Sequence, residues 1–248
     1  MFNNLYRKAV FFVGDIRRIH HFPWVTWDVH QHEVRMEEVL EALPLIKYGD
    51  IGVHRDAGYL SNIAIPGFMK HAWIHTDDGT KKPMIVEAIS DGVVHRSAVY
   101  PMHSDYTIIL RPKGVDYKSR RGACKKAKSI VGTRYDHDFK FDVEAELKHY
   151  KGDDTDAAGQ ELGAGAEYMK KFDHGFSCTE AVSYAWWHRR EELRIFREKS
   201  RGKNVILADS FINGGFEIVW MSASVTVDVA IKLGLHEEGV EMIKKFRS

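Results

Sequence analysis

Between residues 51 and 112 the chain alternates apolar and other side chains with a period of two. His71, Trp73 and His75 alternate with Ala72 and Ile74, and Ile85, Glu87 and Ile89 alternate with Met84, Val86 and Ala88. Tyr106, Ile108 and Leu110 form a third run, and Ile51 and Val53 open the series. This period puts successive side chains on opposite faces of an extended strand. Turn signals stand at Asp78-Gly79 and Asp91-Gly92, and Pro112-Lys113-Gly114 closes the last run. The spacing predicts short antiparallel strands in a meander or small barrel. Elsewhere the period is helical. Met36, Val39, Leu40 and Leu43 form a stripe ahead of Pro44, and Ala123, Ala127 and Ile130 form another that Gly132 should end. A strand pair is expected around Val205–Leu207 and Phe216–Met221, and two helices close the chain, the last carrying Val240, Ile243 and Phe246. The class is α+β: one antiparallel sheet core packed against helices, with helical extensions.

The 248 residues, 44% hydrophobic and 29% charged, suit one large domain with a sizeable core. Residues 1–40 read as an extension packed on that core, and residues 41–248 as the domain itself. An insertion near 140–175 includes a Gly-, Asp- and Ala-rich loop over 151–166. A net charge of +1 gives no global field for nucleic acid, and none is expected as a partner. Lys118, Arg120, Arg121, Lys125, Lys126 and Lys128 crowd one stretch and read as a solvated helix face. Two cysteines make no disulfide framework, and Cys124 reads as core packing. The apolar run Ala9–Val13 is too short for a signal-peptide core, and no segment reaches transmembrane length. A cytoplasmic protein without a membrane span is expected; delivery by a phage particle or a specialised export route is compatible with the same pattern.

The chemistry centres on Cys178. Ser177 followed by Glu180 three residues later is a capping box, so a helix should begin with Cys178 in its first turn. Unpaired N–H groups and the positive end of the helix dipole favour a thiolate there. A cysteine nucleophile also needs an imidazole base, a group to orient it, and donors for an oxyanion. His71 begins one β run. Glu87, flanked by Ile85 and Ile89 on the next, is a carboxylate that needs a partner in an apolar setting.

The chain resembles the YiiX/YaeF-like branch of the circularly permuted NlpC-type papain-fold hydrolases. The resemblance is carried by Tyr48-Gly49-Asp50-Ile51-Gly52-Val53, Lys70-His71-Ala72-Trp73-Ile74, Ile85-Val86-Glu87-Ala88, Gly132-Thr133-Arg134-Tyr135-Asp136-His137-Asp138-Phe139 and Phe176-Ser177-Cys178-Thr179-Glu180-Ala181-Val182, in that order. It implies a permuted papain-like fold, Cys178 as nucleophile, His71 as base then acid, and Glu87 as the third polar member. It places Tyr135 and Asp136 near the cleft, where, with Ser177 at the helix start, they would bind substrate or the oxyanion. It implies a cysteine-dependent amidase, peptidase or acyl hydrolase on peptide, isopeptide or acyl-containing substrates, with no cofactor and no metal. The family usually reaches its cysteine soon after the Tyr-Asp motif, whereas here residues 140–177 intervene, and Trp73 stands where a small residue is usual.

Two readings from other classes compete. His71 and His75 share a pleat and would make a metal pair, the basis of a metal-dependent hydrolase. The papain-like shape would also serve a catalytically inactive binding or structural protein. His20-His21 and His30-x-His32 read as surface polar residues.

Overall fold

The computed structural model describes residues 32–59, 65–77, 83–136, 175–200 and 203–235, with the short pieces 16–18, 25–27, 62, 240–241 and 243–244. The turn at Asp78-Gly79, the loop 151–166 and nearly all of the 140–175 segment lie outside the described residues. Strands β1 (Ile16–Arg18) and β2 (Val25–Trp27) pair antiparallel. Helix α1 (Met36–Ala42) follows, continued by a 3-10 turn over Leu43–Leu45 that takes Pro44 inside it. Only part of the expected stripe is used: Val39 and Ala42 are buried, while Met36 and Leu40 are 41% and 59% exposed.

Next come β3 (Ile51–Arg55), β4 (His71–His75), β5 (Met84–Ile89) and β6 (Gly92–Ser97), then α2 (Val99–Met102) and β7 (Tyr106–Pro112). Helix α3 (Tyr117–Ser129) starts on Asp116, whose carboxylate accepts from the Ser119 N–H at 2.6 Å. Its end is followed by Gly132 at φ +87°, as expected of a helix-stopping glycine. Two short strands, β8 (Arg134–Tyr135) and β9 (Gly175–Phe176), lead into α4 (Cys178–Ala185). The remainder is β10 (Glu198–Ser200), β11 (Lys203–Val205), α5 (Ala208–Ile212), β12 (Phe216–Met221) and α6 (Val227–Lys232).

Six strands form one antiparallel sheet in the order β12-β7-β3-β4-β5-β6. It is open, with β12 and β6 at its edges. The expected pairing of the segments near 205 and 216 is not formed: Lys203–Val205 pairs with Glu198–Ser200, and Phe216–Met221 extends the main sheet beside β7. Strand β6 was not signalled by the alternation, because Val93 and Val94 both carry apolar side chains and blur the period. It follows β5 through a tight hairpin at the Asp91-Gly92 signal, with Ile89 opposite Gly92.

Both faces of the sheet are covered, so its strands bury both sets of side chains. On one face Ile51, Val53, Ala72, Ile74, Val86, Ala88, Ile108 and Leu110 pack with Ala123 and Ala127 of α3 and Ala181, Val182 and Ala185 of α4. On the other, Trp73, Ile85 and Ile109 pack with Val34, Val39, Ala42 and Ile46 around α1. The segment leading into α1 and α1 itself thus supply the second cover.

The six cations around α3 divide. Arg120 turns inward to bond Asp50 at 2.6 Å, and Lys126 is buried over the Tyr184 ring, while Lys118, Arg121, Lys125 and Lys128 are exposed. Cys124 is buried, donates to the His75 carbonyl at 3.3 Å, and is pushed up to about 12 by burial. Asp50, fully buried at the start of β3, accepts from Arg111 Nε at 3.0 Å, Arg111 Nη2 at 2.7 Å and the Lys47 N–H at 2.8 Å. This carboxylate joins the chain just before β3 to β7 and α3. No helix among the described residues is long and apolar enough to cross a membrane.

Candidate active site

Helix α4 begins as its sequence requires. Ser177 is the extended N-cap, and Glu180 reaches back to accept the Ser177 N–H at 2.8 Å. Ser177 is buried, and with its N–H committed to Glu180 it caps the helix. Of its two donors, the N–H is thus taken by the cap. Cys178 occupies the first helical position, 6% exposed, and its backbone N–H has no acceptor within the helix.

The imidazole comes from the sheet. α4 packs on the face that carries Ala72 and Ile74, whereas His71 lies on the opposite pleat with Trp73. The Cys178 sulfur lies at the beginning of β4, 3.9 Å from the carbonyl of Lys70, the residue before His71. The loop delivering His71 is held by Asp209 of α5, whose carboxylate accepts the Phe68 and Met69 N–H groups at 2.6 and 2.7 Å. Burial pushes the His71 pKa down, but the charge and hydrogen bond of Cys178 and those of Glu87 outweigh it and raise it to about 10.

Glu87 is fully buried, and its Oε2 lies 2.7 Å from His71 Nε2. That leaves Nδ1 for the sulfur. The register is instructive: the residues directly opposite Glu87 are Trp73 on β4 and Val94 on β6. Its partners are the diagonal neighbours, His71 on one side and Arg96 on the other. Diagonal pairs lie within reach of long side chains. Arg96 Nε donates to Glu87 Oε1, and the guanidinium also stands 5.6 Å from the Tyr100 ring centroid. Burial raises the Glu87 pKa, but the hydrogen bond and charge of His71, then Arg96, overcome it and bring it down to about 2.

Arg96 is the residue that sequence reasoning missed, because the strand carrying it was missed. A signal existed: a buried glutamate on a central strand calls for a cation on either neighbour. Replacing Arg96 with Leu should weaken the grip on Glu87 and reduce kcat/KM by about tenfold. Glu87 contributes stability that is present above pH 4.5 and lost as pH falls through about 2. With a smaller depression in the variant, acid unfolding followed by circular dichroism should begin at higher pH. An unchanged acid transition would count against this role for Arg96.

Tyr135 and Asp136 reach the same place through β8, which pairs parallel with β9, Tyr135 opposite Phe176. The strands come so close at Gly175 that a Cβ there would lie 2.8 Å from the Asp136 nitrogen. The Asp136 N–H donates to the Phe176 carbonyl at 3.2 Å. Burial, then the charges of Cys178, Glu180 and Asp136, hold the Tyr135 pKa well above 10, so its hydroxyl stays protonated. A protonated hydroxyl near the thiol can donate to an oxyanion. Glu180 is itself pushed up to about 7 by burial.

The His71/His75 metal pair is not formed. Trp73 lies between them, its ring 6.4 Å from each by centroid, and its Nε1–H donates to His75 Nε2 at 3.2 Å. Burial pushes the His75 pKa down to about 3. His54, opposite His71 on β3, packs its ring 4.9 Å from the His71 ring. The chain matches no family model, no curated protein and no solved structure.

Proposed function

We propose that this protein is a cysteine-dependent hydrolase of amide or ester bonds, with a permuted papain-like, NlpC-type architecture. Cys178 is the nucleophile, His71 the base and then the acid, and Glu87 the group that holds the imidazole. The observation that carries the reading is the His71 ring, bonded to buried Glu87 at 2.7 Å through Nε2, with the Cys178 sulfur at the helix start 3.9 Å from the carbonyl of the preceding residue, Lys70.

In the reaction His71 takes the proton from Sγ, and the sulfur attacks the substrate carbonyl carbon. The carbonyl oxygen gains the negative charge and meets the Cys178 N–H and the Tyr135 hydroxyl. The tetrahedral species collapses, the bond to the leaving amine or alcohol breaks, and His71 returns the proton to it. Water activated by His71 then cleaves the thioester, freeing the acid and the thiol. Peptide, isopeptide and other acyl-bearing substrates all fit this chemistry, and an acceptor other than water would make the same residues an acyl transferase.

Two tests bear on it. Alkylation by iodoacetamide, mapped by mass spectrometry, should modify Cys178 at neutral pH at least about 100-fold faster than buried Cys124, and His71→Ala should slow the labelling of Cys178 while leaving that of Cys124 unchanged. Equal labelling of both thiols, or labelling of Cys178 unchanged by His71→Ala, would overturn the pairing of sulfur and imidazole. Ester turnover should fall as pH rises through about 10, because His71 then loses the proton it must give the leaving group. The same pair contributes stability that is intact below pH 6.5 and lost as pH rises through about 10.

A further inference from the structure

A second group of ligand-type side chains gathers on the α1 side of the sheet. His32, Asp56 and Asp105 come from three separate stretches: the segment before α1, the exit of β3 and the entry to β7. Each offers an atom within 4.8 Å of the others. His32 Nδ1 is 3.4 Å from Asp56 Oδ1, and His54 Nε2 is 3.6 Å from Asp56 Oδ2. These separations exceed a direct N–H···O hydrogen bond. They match two ligands on one ion, since bonds of about 2.1 Å at a tetrahedral angle place their atoms about 3.4 Å apart.

The group is built from within. Asp105 is 1% exposed, and its oxygens accept the Glu33 N–H at 3.2 Å and the Ala57 N–H at 2.5 Å, which fixes the carboxylate between two of the contributing stretches. Val34 donates to the Ser104 carbonyl at 2.9 Å, laying the His32 segment along the start of β7. The His103 ring stands edge-on to His32 with centroids 4.9 Å apart. His54, whose Nε2 faces Asp56, leaves a buried Nδ1 with no hydrogen-bond partner among the described residues. Two carboxylates brought this close in a half-buried site repel one another, and a divalent cation reverses that cost. His32 is therefore no surface polar residue.

The geometry points to a divalent first-row transition-metal site made by His32 Nδ1, Asp56 and Asp105, with His54 bracing Asp56 from behind. One nitrogen and two carboxylate oxygens suit zinc or manganese, whereas calcium takes an all-oxygen shell. The site is separate from the thiol chemistry and does not depend on it. Its occupancy fastens the 32–35 segment to the sheet beside His54, the neighbour of His71.

The test uses the full chain without an affinity tag, stripped with chelator and titrated with ZnCl2, MnCl2 and CaCl2 by calorimetry. Zinc or manganese should bind one to one and raise Tm by about 5 °C or more at a hundredfold excess over Kd, with calcium giving no shift. His32→Ala and Asp56→Asn should each weaken binding at least about tenfold while the metal-free variants keep the wild-type circular dichroism spectrum. Cys178→Ser should bind as the wild type does, which separates this result from the fate of the hydrolase reading. Absence of one-to-one binding, or equal affinity in both ligand variants, overturns the site.

Discussion

Cys178→Ser is expected to lower ester or amide turnover by about 10⁴-fold or more while leaving Tm within a few degrees of the wild type. The serine hydroxyl is close to the thiol in size and keeps the helix start intact, but it is not drawn into an ion pair with His71. His71→Ala should cost about as much. The double variant should be no slower than either single one, because members of a catalytic unit fail together. Independent, multiplying losses would mean that the sulfur and the imidazole do not act on the same proton. Wild-type turnover in either single variant would remove the mechanism altogether.

The largest effect on stability is expected at Gly52. On β3 it lies directly opposite Trp73, and the indole lies across it: an added Cβ would sit 2.0 Å from Trp73 Cε2 and 2.5 Å from Nε1. Trp73 is fully buried, hemmed by His54 at 5.0 Å between ring centroids and bonded to His75. The ring has nowhere to yield without disturbing the strand that carries His71. Gly52→Ala should therefore cost at least about 3 kcal/mol, measured by urea denaturation. In the Trp73→Leu background the same change should cost much less, a coupling that a double-mutant cycle would read directly. A Gly52→Ala loss under about 0.5 kcal/mol, typical of surface sites, would contradict the packing described for Trp73.

The sequence exposed the strands that turn signals bound and the helix whose cap is spelled out. Ile51–Arg55, His71–His75 and Met84–Ile89 follow from their alternation, and the start of α4 follows from Ser177 and Glu180. Of the set Cys178, His71 and Glu87 that pattern and resemblance point to, His71 and Glu87 are bonded to each other, and the Cys178 sulfur lies against the carbonyl of Lys70 next to His71. The diagonal reach from Glu87 to His71 was not visible, because register is fixed by strand pairing and not by local composition. Neither was Arg96, on a strand with two adjacent valines. The helical stripe at Met36 and Leu40 misled for a related reason: periodicity marks a helix but not which residues meet a neighbour. Histidines scattered at 32, 54 and 103 gave no spacing to read, since only the folded sheet makes them neighbours.

The parallel pairing of Tyr135 with Phe176 has a further consequence. It joins Tyr135 to Phe176, two positions before Cys178, so the start of α4 is tied to β8 whatever length of chain runs between. Exchanging the intervening stretch for one of another length or composition should leave Cys178 where it is. The clasp thus marks a point at which another segment can be grafted without moving the start of α4.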